Sequence, residues 1–243
     1  ASVLIGVAMF GGLAALPLYL QIVKGATPTE AGLLLLPLTL GIMIGSILSG
    51  QIISRTGRYR VFPIVGSALL TISLFIFHYV AYDTPLWQTM IVMTMFGVGL
   101  GFNFQPLTLA VQNAVPPQQI GVATSTATFT RQIGGTLGTA VFLSILFSTA
   151  SEKITTALAA AVPTQEFQAA LADPANAAVA EQFAAAQSGG GAATSVLSDS
   201  SFLTGLDERL AKPFLIGFSE AMDLVFLTGS AVMVLGFLVM LML

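Results

Sequence analysis

The sequence predicts an all-α, polytopic membrane protein with six transmembrane helices. Of its 243 residues, 55% are hydrophobic and 8% are charged, whereas soluble domains carry about 25% charged residues. Several uncharged stretches reach the length of about 20 apolar residues that a helix needs to cross a bilayer. They do not alternate between apolar and polar residues, as membrane β-strands do. Helices are the expected spanning elements because they satisfy their backbone groups internally.

Short polar turns divide the chain into its predicted spans. KGATPTE ends the first span, three arginines follow the second, AYDTP follows the third, and a double proline ends the fourth. Before the last span lies a stretch rich in Ala, Ser and Gly without an apolar block, which we predict to be a soluble, partly disordered loop. The predicted spans are residues 4–23, 31–53, 61–80, 86–111, 122–148 and 213–243, and the loop covers residues 150–212.

The composition also excludes several kinds of function. A net charge of −3 provides no basic surface for nucleic acid. The chain has no cysteine, which excludes disulfides, thiolate metal sites and cysteine nucleophiles. The glycines of FGVGLGFNFQP lie inside an apolar span rather than in the strand–turn–helix unit of a nucleotide-binding loop. With one histidine and no catalytic dyad or triad, we predict no enzymatic activity, no cofactor and no metal site.

The few basic residues predict the orientation of the chain. GQIISRTGRYRVF holds Arg55, Arg58 and Arg60 between the second and third spans, whereas the preceding turn holds only Lys24. Short cytoplasmic loops collect Lys and Arg. We therefore predict that the arginine turn and both ends of this chain are cytoplasmic. The loop at residues 150–212 is then expected on the extracytoplasmic side of the cell membrane.

The arginine turn resembles a cytoplasmic-loop signature of the major facilitator superfamily, G-x-x-x-D-R-x-G-R-[RK]. In that family the first Gly allows close helix approach, the second permits a tight turn, and the arginines cap helices and pair with acids. Ser54 replaces the acid of the signature, which weakens the role of this copy as a charged gate latch. The matching residues are Gly50, Arg55, Gly57, Arg58 and Arg60.

Three longer segments are similar to the EmrB/QacA-type drug:proton antiporters, which have fourteen spans. The segments are LPLYLQIVKGATPTEAGLLLLPLTLG, FTRQIGGTLGTAVF and SSFLTGLDERLAKPFLIGFSEAMDLVF. The resemblance implies proton-coupled efflux of drugs or amphipathic small molecules by alternating access. It also implies that this chain, which begins with Ala, is the C-terminal half of a longer transporter. Most proton-carrying acids would then belong to the N-terminal half.

Polar residues inside the spans are candidate sites, because unpaired polar groups in hydrocarbon are costly. Arg131 lies about ten residues into the fifth span, where it either gates the central cavity or has a structural role at neighbouring carbonyls. Asn103 and Gln105 either line the cavity or form interhelical hydrogen bonds. Gln21 in the first span, with nearby Met and aromatic residues, is a further cavity candidate.

Two glycine pairs have the small-xxx-small spacing that lets membrane helices approach closely. Gly41 and Gly45 lie in the second span, and Gly134 and Gly138 in the fifth. We predict that both pairs lie at helix contacts.

Glu220 and Asp223 lie three residues apart, on one face of the sixth span. They are candidates either for proton binding or for a position at the outer water interface. His78, at the end of the third span, is expected at the same interface.

Three other functions remain open. The first is export or uptake of a specific metabolite, such as an amino acid or sugar. The second is a membrane-embedded transferase, which would need clustered His, Asp or Arg at one interface. The third is a structural partner subunit. In the favoured interpretation, the partners are the lipid bilayer, a small-molecule substrate, protons and the N-terminal half of the same transporter.

Overall fold

The computed structural model describes residues 2–173, 176 and 206–242, and these residues form helices and no strand. A π-helical turn, Tyr19–Val23, follows the helix that ends at Leu18, and a 3-10 turn, Pro117–Gln119, precedes the helix that begins at Ile120. The predicted all-α fold class is confirmed. The helices are α1 (Ser2–Leu18), α2 (Pro28–Leu34), α3 (Leu36–Thr56), α4 (Val61–Phe77), α5 (Leu86–Asn113), α6 (Ile120–Ala161), α7 (Gln165–Leu171) and α8 (Glu208–Leu241).

Five helical segments of the described chain are long and apolar enough to cross a membrane. α4 is apolar but has 17 residues, which gives it a length of about 26 Å and puts it at the lower limit for a spanning helix. The apolar segments therefore occupy the positions of the six predicted spans. The five longer ones are Ser2–Val23, Pro28–Thr56, Leu86–Asn113, Pro117–Ala161 and Glu208–Leu241.

Local signals in the sequence explain where the second span starts and stops. Thr27 and Glu30 form a reciprocal capping box at the start of α2, which satisfies backbone donors that the first helical turn leaves free. α3 ends at Gly57, whose φ of 68° is left-handed and whose N–H donates to the Ile53 carbonyl at 2.8 Å. Glycine reaches this conformation without the steric cost of a side chain.

The helices alternate in direction, so the bundle has two distinct ends. Tyr59 and Arg60 share a recess of about 210 Å³ with the C-terminal part of α5 and with Met240 near the end of α8. We call this side, which carries the arginine turn, the arginine end. Lys24 lies at the opposite, lysine end, where its Nζ donates to two carbonyl oxygens of the α4–α5 turn at 2.7 Å each.

Glycines bring the backbones of neighbouring helices together. A Cβ atom at Gly41 or Gly45 would lie 2.5 or 2.6 Å from a carbonyl oxygen of α5. Gly134 and Gly138 of α6 lie against the backbone of α1 in the same manner. Helix association in lipid depends on such close van der Waals packing, because lipid tails are as apolar as the helix surfaces. The four glycines therefore lie in the α3–α5 and α1–α6 contacts.

Aromatic side chains fill the space where α4, α5 and α8 meet. The rings of Phe77 and Phe226 stack with centroids 5.1 Å apart, and Phe96 meets Phe77 edge-on at 6.3 Å. Phe142 of α6 is 2% exposed and packs beside Gly11 of α1. These aromatic contacts stabilise the bundle in addition to the glycine contacts between helices.

α6 differs from the predicted fifth span because it extends well beyond residue 148. Its 42 residues make a helix of about 63 Å, roughly twice the thickness of a hydrocarbon core. Ile154 and Leu158, one turn apart, are buried, and Gly217 of α8 lies against the backbone of Ile154. Lys153 and Glu220 form an ion pair between the two helices at 3.2 Å.

The region predicted as a loop is therefore partly helical at both borders. α6 continues to Ala161, α7 follows with Thr164 as its N-cap, and α8 already begins at Glu208. Alanine favours this outcome, since it has the highest helix propensity. Residues 174–175 and 177–205 of the predicted loop lie outside the described residues.

Candidate functional site

Arg131 lies inside the membrane-spanning part of α6, about 16 Å along the helix from its first residue. The side chain is half-buried, and its guanidinium carbon lies 5.2 Å from the centroid of the Phe104 ring on α5. For a half-buried pair, a cation–π contact contributes about 0.5–2 kcal/mol. That range is below the roughly 2.5 to 3.5 kcal/mol that an arginine costs at the centre of a membrane helix, so this contact offsets the cost only in part.

A charged partner for Arg131 is missing from the described part of the chain. The ion pairs there are Lys153–Glu220 and Arg209–Asp207, both near the lysine end of the bundle. The guanidinium therefore keeps donors available for a ligand or for a further polypeptide segment.

The position of Arg131 is fixed by the contact between α6 and α1. Gly6 of α1 lies directly against the carbonyl oxygen of Arg131, and Gly134 and Gly138 continue the contact over the next two turns of α6. A side chain at any of these glycines would push the helices apart. These three glycines, which we call the glycine seam, therefore hold the base of the Arg131 side chain at the junction of α1, α5 and α6.

A groove of about 660 Å³ runs beside this junction toward the arginine end. Its lining combines aliphatic groups with hydroxyls, a combination that suits ligands that are partly apolar and partly polar. The Thr126 and Thr130 hydroxyls donate to the carbonyls four residues earlier, at 2.8 and 2.7 Å, and can still accept hydrogen bonds from a ligand. The lining residues are Ser2, Val111, Gln119, Val122, Ala123, Thr126, Ala127 and Thr130.

α5 and α6 are also tied together at the groove. Gln112 Nε2 donates to Thr124 Oγ1 at 3.1 Å, nearer to the arginine end than the contact between Arg131 and Phe104. The two contacts fix the wall that α5 and α6 form on this side.

The two amides of α5 occupy different environments. Asn103 is 2% exposed, its Nδ2 donates to the Gly99 carbonyl at 2.8 Å, and it lies against Gly66 of α4. Gln105 is exposed. Asn103 thus lies in the α4–α5 contact, but its hydrogen bond stays within α5 and is not interhelical, whereas Gln105 is accessible to a ligand or to a further segment.

Gln21 lies far from the other candidate cavity residues. It lies half-buried in the π-helical turn at the end of α1. Along the axis of α1 it is about 22 Å from Gly6, which contacts Arg131. The predicted cavity residues therefore occupy two levels of the bundle, with Gln21 toward the lysine end. π-helical turns recur at functional sites.

The arginine turn is solvent-facing in the described chain. Arg55, Arg58 and Arg60 are exposed, and Arg55 lies in the last turn of α3, where a positive charge complements the helix dipole. The Ser54 hydroxyl, at the position of the acid in the signature, donates to the carbonyl of Gln51 at 2.8 Å. A Cβ atom at Gly50 would meet nothing within 4 Å.

Sequence reasoning missed a recess formed by the extension of α6, α7 and the start of α8. Its volume is about 370 Å³, and Glu166, Arg209, Lys212 and Glu220 contribute charged groups to its lining. The missed signal is the spacing of Ile154 and Leu158, which indicates an apolar helical face in the predicted loop.

Comparisons with known proteins identify the family. The family model of the Major Facilitator Superfamily matches residues 1–139. A tetracycline resistance determinant of Streptomyces rimosus is 35% identical over 96% of this chain and 67% of its own length. An uncharacterized MFS-type transporter of Mycobacterium tuberculosis is 38% identical over 53% of this chain, and the MFS-type transporter ppz2 of Metarhizium majus is 37% identical over 47%.

The chain spans only part of these relatives, with matched segments that cover 19% and 20% of the Mycobacterium and Metarhizium proteins. The match to the family model nevertheless includes α1 to α5 and the part of α6 that carries Arg131 and the glycine seam. The all-helical architecture agrees with it. This chain belongs to the Major Facilitator Superfamily of membrane transporters.

Proposed function

We propose that this chain is the C-terminal, six-helix half of a transporter that exports drugs or other amphipathic small molecules in exchange for protons. The second half precedes it in the same polypeptide, and substrate binds between the halves near the midplane as they rock. The similarity to a tetracycline resistance determinant supports drug export and makes tetracycline the first substrate to test. The arginine end, with both ends of the described chain, faces the cytoplasm of a cell whose plasma membrane holds the protein.

The observation that carries the proposal is the environment of Arg131. An arginine with free donors, half-buried inside the membrane, is retained at a cost that a purely structural helix would avoid. The groove lined by Thr126 and Thr130 begins beside it. We assign Arg131 to substrate gating, with Gln105 and Gln21 as further cavity residues at their two levels.

A transporter dedicated to one metabolite is the alternative. Similarity to fungal proteins supports it, among them a transporter of an acurin A biosynthesis cluster that is 32% identical over 47% of this chain. The two functions differ in the breadth of substrates, which a resistance assay measures directly.

The test uses the full-length gene in a bacterial host whose own efflux pumps are deleted. Tolerance to tetracycline and to several unrelated lipophilic cations is measured with wild type, Arg131→Ala and Arg131→Lys. Gln132→Ala is the matched control, because Gln132 is the adjacent residue on α6 and is exposed. Membrane expression is quantified for each variant.

We expect wild type and the control to raise tolerance, Arg131→Ala to lose it, and Arg131→Lys to keep part of it because the charge remains. Tolerance limited to one compound favours the dedicated transporter. Unchanged export by Arg131→Ala at normal expression would refute the gating role, and no export by the wild type would refute drug efflux. Collapse of the proton gradient should abolish export if protons drive it.

A further inference from the structure

Polar side chains from four helical segments meet at the lysine end, away from the groove. They are Tyr19 at the end of α1, His78 after α4, Thr89 at the start of α5, and Asp223 in α8. The stacking of Phe77, next to His78, on Phe226, one turn beyond Asp223, brings α4 and α8 together here. His78 is the single histidine of the sequence.

Several of these groups are shielded from solvent without a partner. His78 Nδ1 and Asp223 Oδ1 are buried and make no hydrogen bond within the described residues, and neither does Ser219 Oγ one turn before Asp223. Thr89 Oγ1 is also buried and lies beside the Tyr19 hydroxyl. Away from this end of the bundle, the described residues contain one further buried side-chain atom without a partner, Asn103 Oδ1. Because an unpaired buried polar atom is costly and calls for an explanation, their concentration at one place points to a site.

The surrounding charges leave His78 as the natural partner of Asp223. The charged groups that act on the Asp223 carboxylate are His78 from α4, Glu220 from its own helix and Lys153 from α6. Lys153 and Glu220 pair with each other at 3.2 Å, with half-exposed side chains, so their opposite charges largely cancel at Asp223.

The end of α1 covers the site without adding net charge next to Asp223. Tyr19 is 1% exposed, and its hydroxyl donates to the Ala81 carbonyl at 3.3 Å. Lys24 Nζ lies 5.7 Å from the Tyr19 ring and is bonded to carbonyls of the α4–α5 turn. Asp83 in that turn interacts with both Tyr19 and Lys24. These contacts hold the turn that follows His78 in place at the surface.

We propose that Asp223 and His78 form a proton-binding pair at the lysine end of the bundle. Without a bound proton the pair carries one negative charge, which is costly to bury. One proton makes the pair neutral overall, either as a carboxylic acid beside a neutral imidazole or as a carboxylate beside an imidazolium. The two side chains make no hydrogen bond to each other in the described structure, so sharing an N–H or O–H requires a small rotation of either side chain or a bridging water.

This pair deepens the proposed function, because proton exchange needs a group that binds protons from one side of the membrane. Its position at the lysine end gives access from the side opposite the arginine turn. Its role in transport rests on the proposed function, whereas proton binding by the pair does not and is measured separately.

The experiment is an infrared pH titration of the full-length protein in lipid nanodiscs. The carboxylic-acid C=O band is recorded for wild type, Asp223→Asn, Asp223→Glu and His78→Gln. Glu220→Gln is the control, because Glu220 lies one turn away on α8 but is solvated and paired with Lys153. The pH profile of export is measured for the same proteins.

We expect a titrating band in wild type that is lost in Asp223→Asn, unchanged in Glu220→Gln and moved in pH by about one unit, a tenfold change in proton affinity, in His78→Gln. The export profile should change in the same variants. If Asp223→Asn does not fold, Asp223→Glu, which keeps the carboxyl group, must still show a displaced band. Loss of the band in Glu220→Gln, or an unmoved band in His78→Gln, would overturn the pair. Absence of export by wild type would refute the proposed function alone.

Discussion

The contact between α3 and α5 allows a quantitative test of glycine packing. An alanine at position 45 would put its Cβ 2.6 Å from the Val98 carbonyl oxygen and 3.1 Å from the Val98 Cα. Carbon–oxygen contacts between helices normally lie at about 3.3 Å or more. α3 and α5 must therefore separate by about 0.7 Å, and overpacking of this kind costs about 1–3 kcal/mol.

The helix propensity of alanine acts in the opposite direction and has to be separated from the packing cost. Glycine to alanine inside a helix gains about 1 kcal/mol. Gly50→Ala in the same helix isolates this gain, because a Cβ atom there meets nothing within 4 Å. Gly32→Ala in α2, which is equally open, is a second control that lies outside the arginine signature.

The assay is equilibrium unfolding of the purified full-length protein in mixed detergent micelles, followed by loss of helical circular dichroism. We expect Gly45→Ala to be less stable than Gly50→Ala by about 1–3 kcal/mol, with Gly32→Ala close to Gly50→Ala. Equal stabilities for Gly45→Ala and the two controls would refute the reasoning, because they would show that α3 and α5 can separate at no cost.

Two further predictions use the same unfolding assay. Lys24→Met removes two charge-assisted hydrogen bonds and should lower stability by about 1–2 kcal/mol at neutral pH, whereas Lys24→Arg keeps the charge and should lose less. Burial lowers the pKa of Lys24 from 10.5, and Asp83 acts in the opposite direction. The folded state therefore binds this proton less tightly than the unfolded state. As the pH rises from the folded pKa toward 10.5, wild type should gain stability relative to Lys24→Met. A constant difference across that range would contradict this. Phe142→Ala should lower the free energy of unfolding by about 3 kcal/mol, because it leaves a cavity in a packed core. Phe129 on the same helix is 64% exposed, so Phe129→Ala should change the free energy of unfolding by less than about 0.5 kcal/mol.

The spanning helices could be predicted from the sequence because each signal is local. Uninterrupted apolar residues set the length of a span, and turn-forming residues such as Gly57 mark where it stops. The extension of α6 could not be predicted from composition, because Ile154 and Leu158 are isolated apolar residues in a stretch rich in Ala, Ser and Thr. Their burial depends on α8, which begins at Glu208, about fifty positions later in the sequence, so local composition alone does not reveal it.

The polar residues show why side-chain roles were harder to predict than helices. Asn103 and Gln105 are two positions apart in one apolar span, and the sequence predicts the same two alternative roles for both. The structure separates them because Gly66, on another helix, leaves room for the amide of Asn103. Arg131 could be singled out from sequence because a charge in a span is conspicuous by itself, whereas its contact with Phe104 depends on how α5 and α6 pack.

The proposed proton-binding pair is the extreme case of this dependence on packing. Asp223 and His78 lie 145 positions apart in the sequence (223 − 78), and each alone has the position of a residue at the water interface. Their juxtaposition requires α4 to pack against α8 through Phe77 and Phe226, and their shielding requires the end of α1 above them. α1 contacts Arg131 through Gly6 and reaches the pair through Tyr19, about 20 Å further along its axis. One helix therefore contacts both proposed sites, and a displacement of α1 that exposes the pair would also act on the helix that carries Arg131.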